Sequence, residues 1–113
     1  MLIYKICSRE AWQEATVAGE FTGAEIDLQD GFIHFSAADQ ARETAAKHFR
    51  GQPNLVLVGV EAERLGDALK WEVSRGGAEF PHLYSALNVA LVSSVDELPL
   101  NAEGQHEFPD SIA

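Results

Sequence analysis

One histidine of this sequence lies among aromatic residues in FIHFS, residues 32–36. If this segment is an extended strand, alternate side chains share a face, so Phe32, His34 and Ser36 point to one side. An imidazole beside an aromatic ring is typical of the wall of a cleft. There His34 could hydrogen-bond a ligand hydroxyl or act as a general base. The alternative is a structural histidine whose ring is satisfied by a backbone carbonyl.

A second histidine lies between aromatic residues in FPHLY, residues 80–84. Alternation places Phe80, His82 and Tyr84 on one side if this segment is also extended. Such a row of rings forms a stacking surface for a flat ring or a sugar. The alternative is a loop whose aromatic rings close one end of the core. If both histidines serve one ligand site, His34 and His82 should converge on one groove, with at least one imidazole reachable by solvent.

Glu72 is the carboxylate that could pair with one of these histidines. It belongs to KWEVS, residues 70–74, where alternation places it on the face opposite to Trp71. If that face meets His34, a carboxylate–histidine pair forms, and such pairs tune proton transfer; the alternative is a solvated glutamate. His34, His82 and Glu72 could also be grouped as a two-histidine, one-carboxylate metal site. No ligand motif such as HExxH supports that grouping, so we predict no bound metal.

The hydrophobic periodicity of the chain predicts the elements that must position these residues. In chain order it predicts a strand at 2–7, a helix at 8–18 capped by Ser8, an irregular stretch at 19–31, a strand at 32–36, a helix at 38–49 capped by Ser36, a strand at 55–60, a short helical turn at 62–69, a strand at 70–74, an extended or looped stretch at 78–87 and a strand at 89–95. The apolar runs at 55–60 and 89–95 are typical of central strands covered on both faces. Because both helices lie in the first half, the order favours an α+β fold over an alternating parallel sheet.

The length of 113 residues fits one domain. Residues 1–100 are predicted to form a single α+β domain, and residues 101–113 a polar C-terminal tail. Because the tail has few apolar anchors, we expect it to be dispensable for folding. The pair Phe108-Pro109 is the one feature of the tail that argues for packing against the domain.

The charge balance limits the classes of partner. Asp and Glu total 18 against 8 Lys and Arg, giving a net charge of -10. Such a field repels phosphate backbones and anionic lipids, so we predict no nucleic-acid and no membrane partner, and a small-molecule ligand instead. No apolar run approaches the ~20 residues that span a bilayer. Cys7 is the sole cysteine and makes no internal disulfide, which suits a reducing cytoplasm.

Three motifs, in their order along the chain, resemble motifs of a known bacterial family. They are GFIHFS at 31–36, KWE at 70–72 and FPHLY at 80–84. The sequence resembles the uncharacterised proteins catalogued as domain of unknown function 952, and the resemblance extends from IYKI near the start to VALVSSV. The family commonly has a glycine after its HLY, where this chain has Ser85, so the turn after Tyr84 is expected to differ.

The resemblance implies an ADP-ribosyltransferase-like fold, with antiparallel sheets flanked by two main helices. It implies no established reaction. Enzymes of that fold bind NAD in a cleft between the sheets and use a histidine on an early strand, a tyrosine and a late glutamate. His34 matches the first and Tyr84 could stand for the second, whereas Glu72, Glu79 and Glu97 are all candidates for the third.

Two functional hypotheses follow. The first is a small-molecule site for NAD or a related nucleotide, with ADP-ribosyl transfer or NAD hydrolysis as the conceivable reaction. His34 would position a ribose hydroxyl and a carboxylate would stabilise the cationic sugar. The catalytic candidates are His34, Glu72 and Tyr84, and the ligand-binding candidates are Phe32, His34, Ser36, Phe80, His82 and Tyr84.

The second hypothesis is a non-catalytic binding or protein-interaction module that kept the fold without the chemistry. A ring of buried motif residues, hydrogen-bonded to one another, would favour this module. An open cleft that exposes both His34 and Tyr84 would favour the small-molecule site. NAD is the candidate cofactor of the first hypothesis, and no cofactor is firmly implied.

Overall fold

Strands outnumber helices along the chain, as the sequence predicts. The computed structural model describes residues 1–112. The strands are β1 (Leu2–Ser8), β2 (Glu20–Phe21), β3 (Ile33–His34), β4 (Ser36–Ala37), β5 (Leu55–Glu61), β6 (Leu69–Val73), β7 (Glu79–Leu83), β8 (Leu87–Asn88) and β9 (Val92–Glu97). The helices are α1 (Arg9–Ala18), α2 (Glu25–Asp30) and α3 (Ala41–His48), with short 3-10 helices at Ala62–Ala68, Arg75–Gly77 and Val89–Leu91.

The strands pair in three antiparallel sheets. A four-stranded sheet has the order β4-β1-β5-β9, a three-stranded sheet has the order β3-β7-β6, and β2 pairs with β8. Strands β1 and β5 pair along their whole length, from Leu2 opposite Glu61 to Ser8 opposite Leu55. The predicted α+β class with antiparallel sheets is therefore confirmed. None of the helices in residues 1–112 is long and apolar enough to cross a membrane.

The four-stranded sheet carries a hydrophobic core on each face. On one face, Ile3 and Val58 pack in a cluster that includes Trp12 of α1 and Leu83 of the three-stranded sheet. On the other face, Leu57 belongs to a second cluster, which the two buried alanines of α3 also join. Burial on both faces explains why the strand at 55–60 is continuously apolar.

Helix α1 has the boundaries that its sequence predicts. The Ser8 side chain accepts a hydrogen bond from the backbone N–H of Ala11 at 3.0 Å, as an N-cap does. Gly19 ends the helix with a φ of 88°, a left-handed conformation that glycine adopts without steric cost.

The prediction that residues 19–31 are irregular is wrong, because this stretch contains β2 and α2. Strand β2 is only two residues long and forms through its pairing with β8, so no local periodicity announces it. Helix α2 has six residues, which is too short for an amphipathic repeat. The buried residue of this helix is Asp27.

The prediction of a single strand at 32–36 is also wrong. The chain leaves the three-stranded sheet after His34 and enters the four-stranded sheet at Ser36. At the crossing point, the backbone N–H of Phe35 donates to the carbonyl of Pro81 at 3.0 Å. Helix α3 starts later than predicted, at Ala41, and it is preceded by Gln40 rather than capped by Ser36.

The apolar run at 89–95 does not form a central strand. Its first part is the 3-10 helix Val89–Leu91, and the remainder is β9 at the edge of the four-stranded sheet. Along β9 half-buried and exposed residues alternate, as expected where only one face is covered.

The C-terminal residues pack against the second core. Ile112 is 2% exposed and belongs to the cluster beneath α3, and Phe108 packs against the same cluster. The side chain of Arg42 in α3 donates to the carbonyl of Ile112 at 2.9 Å. Ala113, the last residue of the predicted tail 101–113, lies outside the described residues. This packing opposes the expectation that the tail is dispensable.

We therefore predict that Ile112→Ala lowers the free energy of unfolding by about 2–5 kcal/mol, as for other buried isoleucines. Urea denaturation of the full-length protein measures this loss. The neighbouring exposed Ser111→Ala is the matched control, with an expected change within about 0.5 kcal/mol. If the two variants were equally stable, the expectation that the tail is dispensable for folding would stand.

Candidate functional site

The two motif histidines lie opposite each other in the three-stranded sheet. His34 of β3 pairs with His82 of β7, and their ring centroids are 5.7 Å apart. Directly opposed residues share a face of the sheet, and the neighbouring Pro81 and Leu83 point the other way, where they are buried. The two imidazoles thus share the outer face of the sheet. Whether they serve one ligand groove stays a prediction.

Phe32 lies at the centre of a group of rings on this outer face. It stacks on His82 with centroids 4.1 Å apart and planes inclined by 24°. The rings of His34 and Tyr84 lie 4.6 Å and 5.3 Å from the Phe32 ring. We call Phe32, His34, Glu72, His82 and Tyr84 together the histidine face.

Glu72 joins two of these rings through one carboxylate oxygen. Its Oε1 accepts a hydrogen bond from the Tyr84 hydroxyl at 2.7 Å and lies 2.8 Å from Nδ1 of His82. The donation from Tyr84, followed by that from His82, holds the pKa of Glu72 below its usual value. The hydrogen bond between the Tyr84 hydroxyl and Glu72 raises the pKa of Tyr84. Glu72 pairs with His82 and not with His34, because β7 lies between β6 and β3.

His34 has its own pair of carboxylates, both from α2. Its Nδ1 lies 2.6 Å from Oδ1 of Asp27, and its Nε2 lies 2.9 Å from Oδ2 of Asp30. Both ring nitrogens donate at once only when the imidazole is protonated. The Asp30 side chain is 39% exposed, so its contact with His34 is of the solvent-screened kind that contributes about 0–1 kcal/mol.

Asp27 is the buried centre of this arrangement. Its side chain is 1% exposed, and Nζ of Lys5 lies 2.9 Å from one carboxylate oxygen and 2.8 Å from the other. The backbone N–H groups of Ala24 and His34 also donate to it, at 2.8 Å and 3.0 Å. Burial by itself raises the pKa of Asp27, but the hydrogen bond from His34 and the charge of Lys5 outweigh burial and lower the pKa to about 2.

Gly23 makes room for this carboxylate. A Cβ atom at residue 23 would lie 2.8 Å from Cβ of Asp27, closer than real Cβ contacts, and the φ of Gly23 is 119°. A side chain at this position would therefore push α2 away from β1 and His34.

Sequence reasoning missed Lys5, Asp27 and Asp30. A signal for the first pair was present, since Lys5 interrupts an apolar strand and a lysine buried there needs a carboxylate partner. Nothing local identified Asp27 as that partner, because the segment around it reads as irregular. Asp30 stands directly before Gly31, and that pair by itself indicates a turn.

The structure separates the remaining candidates. Phe80 lies on the outer face opposite Glu72 and is half-buried. Ser36 does not reach this face: it is 5% exposed, in the other sheet, and its hydroxyl lies 2.9 Å from that of Thr44 in α3. We therefore remove Ser36 from the candidate site. Glu79 occupies a position on β7 that faces away from His82.

Glu97, the other alternative glutamate, is hydrogen-bonded to Arg9 near the end of β9 and lies outside the histidine face. Within residues 1–112, no group of three His, Cys, Asp or Glu is placed to hold a metal ion. Cys7 is not an activated nucleophile, because burial raises its pKa to about 11.

Accessibility differs within the histidine face. The side chain of His34 is 32% exposed and Tyr84 is 44% exposed, whereas His82 is 5% exposed. The Nε2 atom of His82 makes no hydrogen bond with any residue in 1–112. A ligand could therefore contact Tyr84 and His34 directly, with His82 forming part of the floor beneath it.

Comparison with known proteins places the chain in a family. Residues 6–95 match the family described as "Protein of unknown function (DUF952)", so the chain belongs to that family. It is similar to protein CC0527 from Caulobacter crescentus: the crystal structure has 57% identity and a TM-score of 0.95, covering 99% of this chain and 98% of that one. The solution NMR structure of CC0527 has 58% identity and a TM-score of 0.88, covering 99% and 97%. No curated protein gives a significant match.

We predict that Asp27→Asn lowers the free energy of unfolding by about 3–5 kcal/mol, because it leaves the buried Lys5 ammonium without a counter-charge. Chemical denaturation measures the loss. The double variant Lys5→Met with Asp27→Asn should lose less than the sum of the two single variants, since their interaction is counted twice in that sum. Additive losses would show that the pair is not coupled.

The depressed pKa of Asp27 also predicts a pH dependence of stability. Its pKa falls from 3.8 to about 2 on folding, so between these values the unfolded chain binds more protons. The stabilisation is complete above about pH 5 and is lost as the pH falls towards 2. Urea denaturation at several acidic pH values should give a steeper loss for the wild-type protein than for Asp27→Asn. Parallel curves would contradict this assignment.

Proposed function

We propose that the histidine face binds a small planar molecule, and that NAD or a related nucleotide is the candidate ligand. One observation carries the proposal: the rings of His34, His82 and Tyr84 gather around Phe32 on one side of the sheet, and Tyr84 and His34 remain partly exposed there. The Glu72 carboxylate joins two of these rings, those of His82 and Tyr84. Aromatic side chains at an accessible surface offer stacking area, and polar groups among them fix the orientation of a ligand.

The charges on this face favour one end of NAD over the other. Glu72 carries a negative charge at neutral pH, and the hydrogen bonds from Tyr84 and His82 lower its pKa further. A carboxylate beside exposed rings attracts a flat cation such as the nicotinamide ring of oxidised NAD. The pyrophosphate would be drawn less strongly by a chain of net charge -10. Lys70, which lies opposite His82 on β6, is the local positive charge available to that anionic part.

The same arrangement supports ADP-ribosyl transfer or NAD hydrolysis. In either reaction the bond between ribose and nicotinamide breaks, its electron pair leaves with nicotinamide, and positive charge grows on the ribose ring. The Glu72 carboxylate would stabilise that charge. A water molecule or an acceptor hydroxyl then bonds to the ribose carbon and releases a proton. His34 would orient a ribose hydroxyl through Nε2, once Asp30 moves aside. The combination of an early-strand histidine, a tyrosine and a glutamate supports the ADP-ribosyltransferase-like assignment. It also favours Glu72 over Glu79 and Glu97 as the glutamate of that set.

A non-catalytic binding module is the second candidate, and a specific observation favours it. The polar groups of the histidine face are hydrogen-bonded to one another and to α2, as in a network whose role is to hold the sheet in place. Such a module would bind a ligand without breaking a bond in it.

The cellular setting belongs to the same proposal. A chain with ten net negative charges is a poor partner for nucleic acid. Its one cysteine is buried as a free thiol, which a reducing cytoplasm would preserve. We accordingly expect a cytoplasmic protein whose partner at the histidine face is a small molecule.

We predict that NAD raises the melting temperature of the wild-type protein in a saturable way, because a ligand that binds the folded state stabilises it. Glu72→Gln should reduce nicotinamide release about 10²–10³-fold if the carboxylate stabilises the transition state. Thermal shift measures binding and chromatographic detection of free nicotinamide measures turnover. Glu97→Gln, at the exposed ion pair with Arg9, is the matched control and should behave as wild type.

The outcomes separate the two candidates. Saturable binding without nicotinamide release supports the non-catalytic module. If NAD, ADP-ribose and nicotinamide all leave the melting temperature and the histidine NMR signals unchanged, the nucleotide proposal is wrong.

A further inference from the structure

A second feature of the molecule lies on the other side of the four-stranded sheet. Between α3 and the C-terminal residues there is an open cavity of about 220 Å³. Its walls come from Arg42 and Ala46 of α3, from Arg50 just after that helix, and from residues 104–106 with Phe108. Because α3 packs on the second core and the three-stranded sheet on the first, this cavity is separate from the histidine face.

The cavity is positively charged in a strongly acidic chain. Asp and Glu outnumber Lys and Arg by 18 to 8. Nevertheless, within the described part of the chain, the charged residues that line this cavity are Arg42 and Arg50, and no acidic residue lines it. Positions 42 and 46 lie one turn apart on α3, and Arg50 follows two residues after the helix ends, so all three border the cavity.

The two arginines differ in how they are held. The Arg42 guanidinium lies 5.2 Å from the centroid of the Phe108 ring and donates to the Ile112 carbonyl at 2.9 Å. Arg50 makes no hydrogen bond or ion pair with any residue in the described range. By contrast, Lys5 and Lys47 each pair with a carboxylate. The donors of Arg50 are therefore available to a group that enters the cavity.

We propose that this cavity binds a small oxyanion, of the phosphate or dicarboxylate class, through Arg50 with Arg42 beside it. The planar guanidinium matches two oxygens of such an anion at once. The cavity has room for several water molecules at ~30 Å³ each, which is enough for an anion of a few heavy atoms. Because its walls include both α3 and the C-terminal residues, the bound anion also ties the tail to the helix.

The test is an NMR titration of the full-length protein, labelled with nitrogen-15. Sodium phosphate and sodium malonate are added in separate series at constant ionic strength, with sodium chloride as the reference. We expect saturable shifts of the backbone amides of residues 104–106. Arg50→Gln should weaken binding about tenfold or more, because it removes charge-assisted hydrogen bonds. Arg64→Gln, at an exposed arginine outside the cavity, should bind as wild type.

The two anions distinguish the geometry of the ligand. A response to phosphate alone assigns a tetrahedral oxyanion, and a response to malonate alone assigns a dicarboxylate; either supports the proposal. If Arg50→Gln does not fold, Arg50→Lys keeps the charge without the planar fork and should still weaken binding. The absence of saturable shifts with both anions, or equal affinity in wild type and the Arg50 variant, would overturn it. Neither result bears on NAD binding at the histidine face.

Discussion

The buried ion pair of Lys5 and Asp27 is the interaction on which the candidate site depends. Burying two charges is costly unless their hydrogen-bonding capacity is satisfied. Here both carboxylate oxygens contact Lys5, and each also accepts from a backbone N–H, at Ala24 or His34. One side chain thus links β1 of the four-stranded sheet, the start of α2 and β3 of the three-stranded sheet. Their relative positions are set together rather than one at a time.

The position of α2 in turn determines the outer surface. Its last residue, Asp30, faces Nε2 of His34, and the left-handed turn at Gly31 directs the chain so that Phe32 covers His82. A helix of six residues has little stability by itself. The short helix therefore relies on Asp27, and the ring arrangement relies on the helix.

The two histidines of the face have opposite surroundings. His34 is accessible, and its inner nitrogen contacts a fully buried carboxylate. His82 is buried, and it contacts the partly exposed carboxylate of Glu72. The first arrangement fixes a ring that a ligand can reach, and the second fixes a carboxylate that a ligand can reach. This division of roles is why we propose ligand contact for His34, Tyr84 and Glu72, and a supporting role for His82.

The sequence by itself determined the features that depend on neighbouring residues. Ser8 and Gly19 predict the two ends of α1, and the apolar run at 55–60 predicts a strand buried on both faces. Alternation at 80–84 places His82 and Tyr84 on the same side of their strand. Each follows from the helix caps, the two-residue period of a strand or its burial. Within those limits, the α+β class and the shared side of His82 and Tyr84 were predictable.

Only the tertiary structure decided which elements meet. The change of sheet at Phe35 takes Ser36 away from the candidate site, and the position of β7 between β3 and β6 brings Glu72 to His82 instead of His34. A lysine within the apolar strand β1 indicates a buried carboxylate partner for Lys5. That the partner is Asp27 depends on where α2 lies in the fold. Pairing between distant segments is set by strand register and by the packing of the whole core, and a one-residue shift of register reverses every face. Local pattern carries no information about that register.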